Sequence, residues 1–376
     1  MENFTFTIFD KTREITRDQW NEIFSSDMIE GYDYYCALDE SNLENFSLHH
    51  AAIFRNNRIC CIAPFFITPF SFDTTLQGKP KKLISAIRRK FPKFLQLKIL
   101  FFGSPLTEHG IFGFSKDCDP KGVLDFLNQE ISRFCRMEKI RIITCNNLTG
   151  EEMPLIENLK KLGYGVMESF PIARVEIKGN SLEEYFSSLG KNTRKDMKRK
   201  LKNAYSTGEI RIEERSSISG LEKEAYQLYL NNFNRADVAF EKLTIEYFAK
   251  VAEFMPDVTK FFIIWRGNKM VAINLCFIKG DTCIDKYFGL DYEVAYQYSL
   301  YFVSWCHNIE WCIKQGIRYY QSGTGDYEPK LRLGSTLHPL YVCAKYLNPV
   351  INLLMKYFLK MIEPGNFDPE LKKLKK

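Results

Sequence analysis

A carboxylate and a phenol stand two residues apart in the segment CIDKYFG, at Asp285 and Tyr287. The segment is short, β-branched and aromatic, so it reads as a strand, and a period of two places both side chains on one face. A carboxylate that takes a proton beside a phenol that gives one is an acid–base pair. The plainer alternative is that Asp285 pairs with a local lysine and Tyr287 fills core. Further on, the loop SGTGDYEPKLRLG (Ser322 to Gly334) collects Gly323, Gly325, Asp326, Glu328, Lys330 and Arg332. Its glycines let backbone N–H groups approach a ligand, and its side chains supply both signs of charge. The loop follows a predicted parallel strand, at the carboxyl edge where open α/β sheets bind ligands.

The third candidate is the basic stretch LGKNTRKDMKRKLKNA. Lys191 to Lys202 contains seven Lys/Arg in twelve residues against one Asp. As a helix, it aligns Met197, Leu201, Ala204 and Tyr205 on one stripe and Arg194, Lys198 and Lys202 in a row at i, i+4 spacing. That density suits phosphates or an anionic surface, with a solvated charged face as the ordinary alternative. A nucleic-acid binder would interleave base-stacking aromatics with the cations, and the patch has only Tyr205 at its end, so DNA is not an expected partner.

Other chemistries lack their motifs. There is no P-loop, GxSxG or HExxH. Cys306 and His307 are neighbours on a helix and point about 100° apart. His49, His50 and His109 have no partners at metal spacing, so no metal is expected. The eleven cysteines form no CxxC pair and mostly sit in apolar runs, where a thiol behaves as a small hydrophobe. With an N-terminus unlike a secretory signal, they point to a reducing compartment, most simply the cytoplasm.

Several elements must position these groups. Around Gly267-Asn268, two apolar runs read as a hairpin. A turn at Gly280-Asp281 leads into CIDKYFG, YSLYFVSWCHNIEWCIKQG reads as one helix ended by Gly316, and IRYYQSG is the next strand. A right-handed helical crossover between neighbouring parallel strands fits that order. The N-terminal half repeats the grammar with a hairpin at Asn56-Asn57, a strand at KILFFGSPL, an amphipathic helix at GVLDFLNQEISRFCRM and a strand at RIITCNN. A length of 376 residues, with 45% hydrophobic and 26% charged side chains, fits two ordinary folded domains.

Asp285, Tyr287, Gly289, Tyr298, Trp305, Gly316, Tyr320, Gly323, Lys330 and Gly334, in that frame, resemble the second half of the GNAT-fold transferases, in particular their FemAB-like and CelD-like branches. The basic stretch resembles the Arg-rich helix that opens the same half there. This resemblance implies an α/β fold of two tandem GNAT-like halves with mixed sheets and helices on both faces. The expected division is 1–168, 169–347 and a C-terminal amphipathic helix with a basic tail, 348–376. It further implies an acyltransferase with an amine acceptor on a cell-envelope, polysaccharide or lipid-related molecule. Asp285, Tyr287 and Lys330 would be catalytic. Arg194, Lys198, Gly323, Gly325, Asp326, Glu328 and Arg332 would bind substrate. No tightly bound cofactor is implied. Acyl-CoA is the preferred co-substrate and aminoacyl-tRNA the competing donor. One departure bears on that choice: the link LDYEVAYQYS has no glycine where coenzyme A-binding members carry a glycine-rich turn at a helix N-terminus. Another class of reading is a non-catalytic protein that binds anions or a membrane surface. Two basic amphipathic stretches, Lys81–Lys98 and Pro349–Met361, support peripheral contact with the inner membrane face, the commoner outcome being packing on their own domain.

Overall fold

A computed structural model describes residues 4–25, 28–71, 96–106, 109–110, 112–235 and 241–374. The N-terminal half runs β1 (Phe4–Phe9), α1 (Arg17–Ile23), α2 (Tyr32–Asp39), β2 (Ser47–Arg55), β3 (Arg58–Ser71), β4 (Gln96–Phe102), β5 (Gly113–Phe114), α3 (Pro120–Met137), β6 (Ile142–Thr149), α4 (Met153–Lys161) and β7 (Gly165–Glu168). The stretch Lys81–Lys98 lies, up to Leu95, outside the described residues. The C-terminal half runs β8 (Ile172–Glu176), α5 (Leu182–Ser188), α6 (Lys191–Tyr205), β9 (Ile210–Arg215), α7 (Glu222–Phe233), α8 (Ile245–Phe254), β10 (Thr259–Arg266), β11 (Lys269–Lys279) and β12 (Thr282–Leu290). It closes with α9 (Tyr292–Tyr298), α10 (Leu300–Gln315), β13 (Tyr319–Gln321), α11 (Tyr327–Arg332), β14 (Thr336–His338), β15 (Leu340–Tyr346), α12 (Pro349–Met361) and two short helices, α13 (Pro364–Phe367) and α14 (Pro369–Leu374).

Each half contains one mixed sheet with helices on both faces. The first sheet has the order β1-β2-β3-β4-β6-β15-β7, with β5 on β3, and the second has β14-β8-β13-β12-β11-β10-β9. Each contains one parallel pair, β4 with β6 and β12 with β13, joined through α3 and α10 respectively. The expected duplication is therefore visible in the topology. Both expected hairpin turns are present, and Asn56 and Asn57 both take the positive φ that a tight hairpin requires.

The halves interlock. β15 enters the first sheet between β6 and β7, so the expected division at residue 347 is corrected: residues 340–346 complete the N-terminal sheet. Only Pro339 separates β14, in one sheet, from β15 in the other. A shared core cements the joint. Trp20, Tyr35 and Leu38 of the first half pack with Phe248 and Val251 of α8 and with Phe261 and Leu275 of the second sheet. Burying so much aromatic surface between the halves favours one fixed relative position.

The expected long helix is present unbroken as α10, starting at Leu300, and the correction concerns the link before it: residues 292–298 form α9, which Ser299 in the left-handed region (φ 52°) separates from α10. Gly316 ends α10 in the same region, as expected of a C-terminal glycine.

Candidate functional site

The parallel ladder between β12 and β13 is three residues long, ending at Ile284 opposite Gln321. Beyond it the strands part, and Asp285 is the first residue past the fork. In the first half, β4 and β6 pair from Ile99–Ile142 to Phe102–Cys145 and then separate in the same way. The two forks face each other. Ser104, Asn146 and Asn147 from one and Asp285, Lys286, Tyr287, Ser322, Gly323 and Thr324 from the other line a single cleft of about 340 Å³. Phe66, Pro105, Leu106, Ile172, Glu241 and Leu340 complete its wall. The volume lies within the size range of ligand pockets.

A β-bulge shapes the site. Leu275 pairs with Tyr287 and the next residue, Cys276, pairs with Asp285, so Lys286 is the extra residue. Asp285 and Tyr287 therefore do not share a face, which corrects the expectation from strict alternation. Tyr287 turns toward α7 and α8, with its ring edge-on to Tyr229 and Tyr247. Asp285 turns toward α10. Both still line the cleft, from opposite sides of the fork.

Asp285 is held by a buried polar ring. Its Oδ1 accepts from Asn274 Nδ2 at 2.5 Å and its Oδ2 accepts from the Tyr320 hydroxyl at 2.5 Å. Asn308 Nδ2 donates both to Asn274 Oδ1 (2.5 Å) and to the Tyr320 oxygen (3.1 Å). Asn274, Asn308 and Tyr320 are completely buried. Burial, reinforced by the Asp285 charge, pushes the Tyr320 phenol well above its ordinary pKa, so it remains a donor to the carboxylate. This geometry fixes the carboxylate rotamer before any ligand arrives. Tyr287 is also pushed well above its ordinary value, by burial first and then by Glu241, and its hydroxyl donates to Glu241 Oε1 at 3.3 Å.

The remaining expected residues are dispersed. Lys330 is buried, but its Nζ donates to the carbonyls of Thr324 (3.1 Å) and Gly323 (3.5 Å), so it secures the loop that forms the cleft wall and is not itself among the lining residues. Gly323 lines the cleft, whereas Gly325, Asp326, Glu328 and Arg332 do not. Asp326, with φ 46°, precedes α11 at its N-terminus. On α6, Lys198 pairs with Glu183 at 2.5 Å, while Asp196 pairs with Arg199 (2.7 Å), Lys200 (2.8 Å) and Arg332 (3.8 Å). Neither Arg194 nor Lys198 reaches the cleft. The basic helix is thus partly neutralised. It packs beside α9 and α10.

Sequence reasoning missed Asn274 and Asn308. The available signal was an amide set in an otherwise apolar run (VAINLCF) and another on the apolar face of a helix. It also missed Ser104, Asn146 and Asn147, which only the facing of the two halves brings to the site. Among the described residues, no group of three or more His, Cys, Asp or Glu could hold a metal ion. All eleven cysteines are free and buried.

A family model of FemAB-like proteins, described as acting in peptidoglycan biosynthesis and recognition, matches residues 11–366. The chain belongs to the FemAB-like family. No curated protein matches its sequence. Among solved structures, FemX aligns over 94% of this chain and 100% of its own, with a TM-score of 0.57 and 13% identity. A tandem GNAT protein from the clavulanic acid biosynthesis pathway aligns over 92% and 99%, with a TM-score of 0.55 and 8% identity. L-PGS from Bacillus licheniformis aligns over 93% and 97%, with a TM-score of 0.53 and 10% identity. At such identities the likeness is one of fold, and it places this FemAB-like chain among proteins built from paired GNAT-like halves.

Proposed function

We propose that this FemAB-like protein is a transferase that moves an aminoacyl or acyl group onto an amine of a cell-envelope precursor, in the cleft between the two forks. The observation that carries the reading is the ring around Asp285: a carboxylate fixed through both oxygens at the open end of a splayed parallel pair. In the reaction, the amine nitrogen attacks the donor carbonyl, a C–N bond forms, and the bond to the departing oxygen or sulfur breaks. Asp285 accepts the amine proton. Tyr287, kept protonated by burial and joined to Glu241, returns a proton to the departing atom.

A specific feature favours an aminoacyl-tRNA ester over acyl-CoA as donor, reversing the preference drawn from sequence. The N-terminus of α9, the first helix after β12, is capped by the Asp291 carboxylate, which accepts from Glu293 N (3.0 Å) and pairs with Lys269 at 2.7 Å. A helix N-terminus already carrying a carboxylate is a poor seat for a pyrophosphate. The exposed cations of α6, which packs beside α9 and α10, offer a separate phosphate-binding surface. Thermal midpoints measured with charged tRNA, uncharged tRNA, acetyl-CoA and a long-chain acyl-CoA test the assignment, because a ligand of the folded state raises the midpoint by mass action. Greater stabilisation by charged than by uncharged tRNA is expected. A salt-resistant shift with an acyl-CoA alone would replace the aminoacyl donor by a thioester.

A further inference from the structure

Helix α12 presents an apolar face to solvent. Val350, Leu353, Leu354, Tyr357 and Met361 are each between 58% and 74% exposed, and they make up half of the large hydrophobics that are exposed among the described residues. At about 100° per residue they form one stripe, roughly opposite Asn352 and Leu359, which hold the helix to its sheet. Asn352 Nδ2 donates to Gly163 O (2.9 Å), and its Oδ1 accepts from Tyr346 N (2.9 Å). Leu359 approaches Gly165 so closely that a Cβ there would lie 2.8 Å from its Cδ1. The stripe is therefore the outer face of a firmly seated helix, with no route back into the core.

The charges beside the stripe indicate what covers it. Lys356 and Lys360 flank it on one side and, with Lys160, edge a groove of about 630 Å³ between α12 and β7, whose acids are Glu168 and Glu363. From Pro349 to Lys376 the chain has six lysines and three acids, a net charge of +3. α12 itself has no acid. A lysine-flanked apolar stripe on a helix with no acidic residue matches an anionic bilayer, where the apolar side chains enter the headgroup boundary and the ammonium groups meet lipid phosphates. We propose that α12 docks this protein on an anionic lipid surface. The position has a consequence for the cleft: Tyr341 lines the groove and its neighbour Leu340 lines the cleft, so docking through α12 brings the cleft close to the membrane. Docking through α12 is independent of the transfer chemistry.

Vesicle co-sedimentation tests it with the full chain, using pure phosphatidylcholine and phosphatidylcholine containing about one third phosphatidylglycerol, at low and high salt. The wild-type protein is expected to partition onto the anionic vesicles, less at high salt and least onto neutral ones. The double variant K356Q/K360Q should weaken partitioning about 25-fold, at about fivefold per lysine. The double variant L354Q/Y357Q should abolish it while leaving the thermal midpoint unchanged, since both side chains are exposed. Failure of the wild type to bind anionic vesicles, or equal binding by either variant, would overturn the proposal. So would a dimer in solution that L354Q/Y357Q dissociates, because a second copy would then be the partner of this face.

Discussion

The ring around Asp285 is directional, and that makes its energetics predictable. Asn308 donates to Asn274 Oδ1, which turns the Asn274 amide nitrogen toward Asp285. Asn308 also donates to the Tyr320 oxygen, which leaves the Tyr320 hydrogen for Asp285. Position 285 must therefore accept twice. In Asp285→Asn the amide accepts one of these bonds and opposes a donor with a donor at the other. Losing a charge-assisted bond and leaving a buried donor unpaired costs about 1–3 kcal/mol. Tyr320→Phe removes the hydroxyl, keeps the ring and costs a similar amount. In the double variant the opposing donor is gone, so the combined loss should fall short of the sum by about 0.5–3 kcal/mol. Urea denaturation of the wild type, both single variants and the double variant gives this coupling directly. Strictly additive losses, or a neutral Asp285→Asn, would show that the carboxylate is not held by the phenol and would remove the basis for its preorganisation.

Three further outcomes follow from other parts of the structure. His50 is buried against Trp20 and Tyr35, and burial lowers its pKa from 6.5 to about 3. Its folded state resists protonation while its unfolded state does not, so this stability is fully present above pH 6.5 and drains as pH falls toward 3; by pH 5 the loss is about 2 kcal/mol. Urea titrations at neutral pH and pH 5 should show His50→Gln losing less over that interval than the wild type, and equal losses would contradict this assignment. At Gly289, a Cβ would lie 2.7 Å from backbone atoms of Leu228 and Tyr229 in α7, so Gly289→Ala should destabilise by about 1–3 kcal/mol through overpacking; an unchanged midpoint in chemical denaturation would show that α7 yields. Lys330→Met should free the carbonyls of Gly323 and Thr324, raising KM more than it lowers kcat, because the lysine secures the cleft wall and is not among the lining residues; a selective fall in kcat would instead make it catalytic.

Local chemistry made much of the fold legible in the sequence. Paired asparagines at 56 and 57, Gly267 and Gly280 at turns, and Gly316 after a long apolar-striped segment each announce a conformation that few other residues take. The residues that could not be read locally depend on distant partners. The bulge at Lys286 arises from the register between β12 and β11, and no feature of CIDKYFG alone reveals the extra residue. The break at Ser299 has no proline or glycine to mark it. The entry of β15 into the first sheet depends on a vacant edge between β6 and β7, nearly two hundred residues earlier in the chain. The candidate site shows the same division. Asp285 and Tyr287 were visible as chemistry, whereas the side chains that orient Asp285 and the wall facing it come from β11, α10 and the opposite half.

In the proposed reaction Asp285 takes the proton from an amine acceptor in the cleft. The most direct measurement is transfer of labelled aminoacyl groups from a charged tRNA pool to amine-bearing cell-envelope precursors, by the wild type and by Asp285→Asn, with tRNA binding measured alongside. Transfer by the wild type is expected, with a variant that binds charged tRNA as before but transfers about 10²–10⁴-fold more slowly. Transfer by Asp285→Asn at the wild-type rate would contradict that role for Asp285.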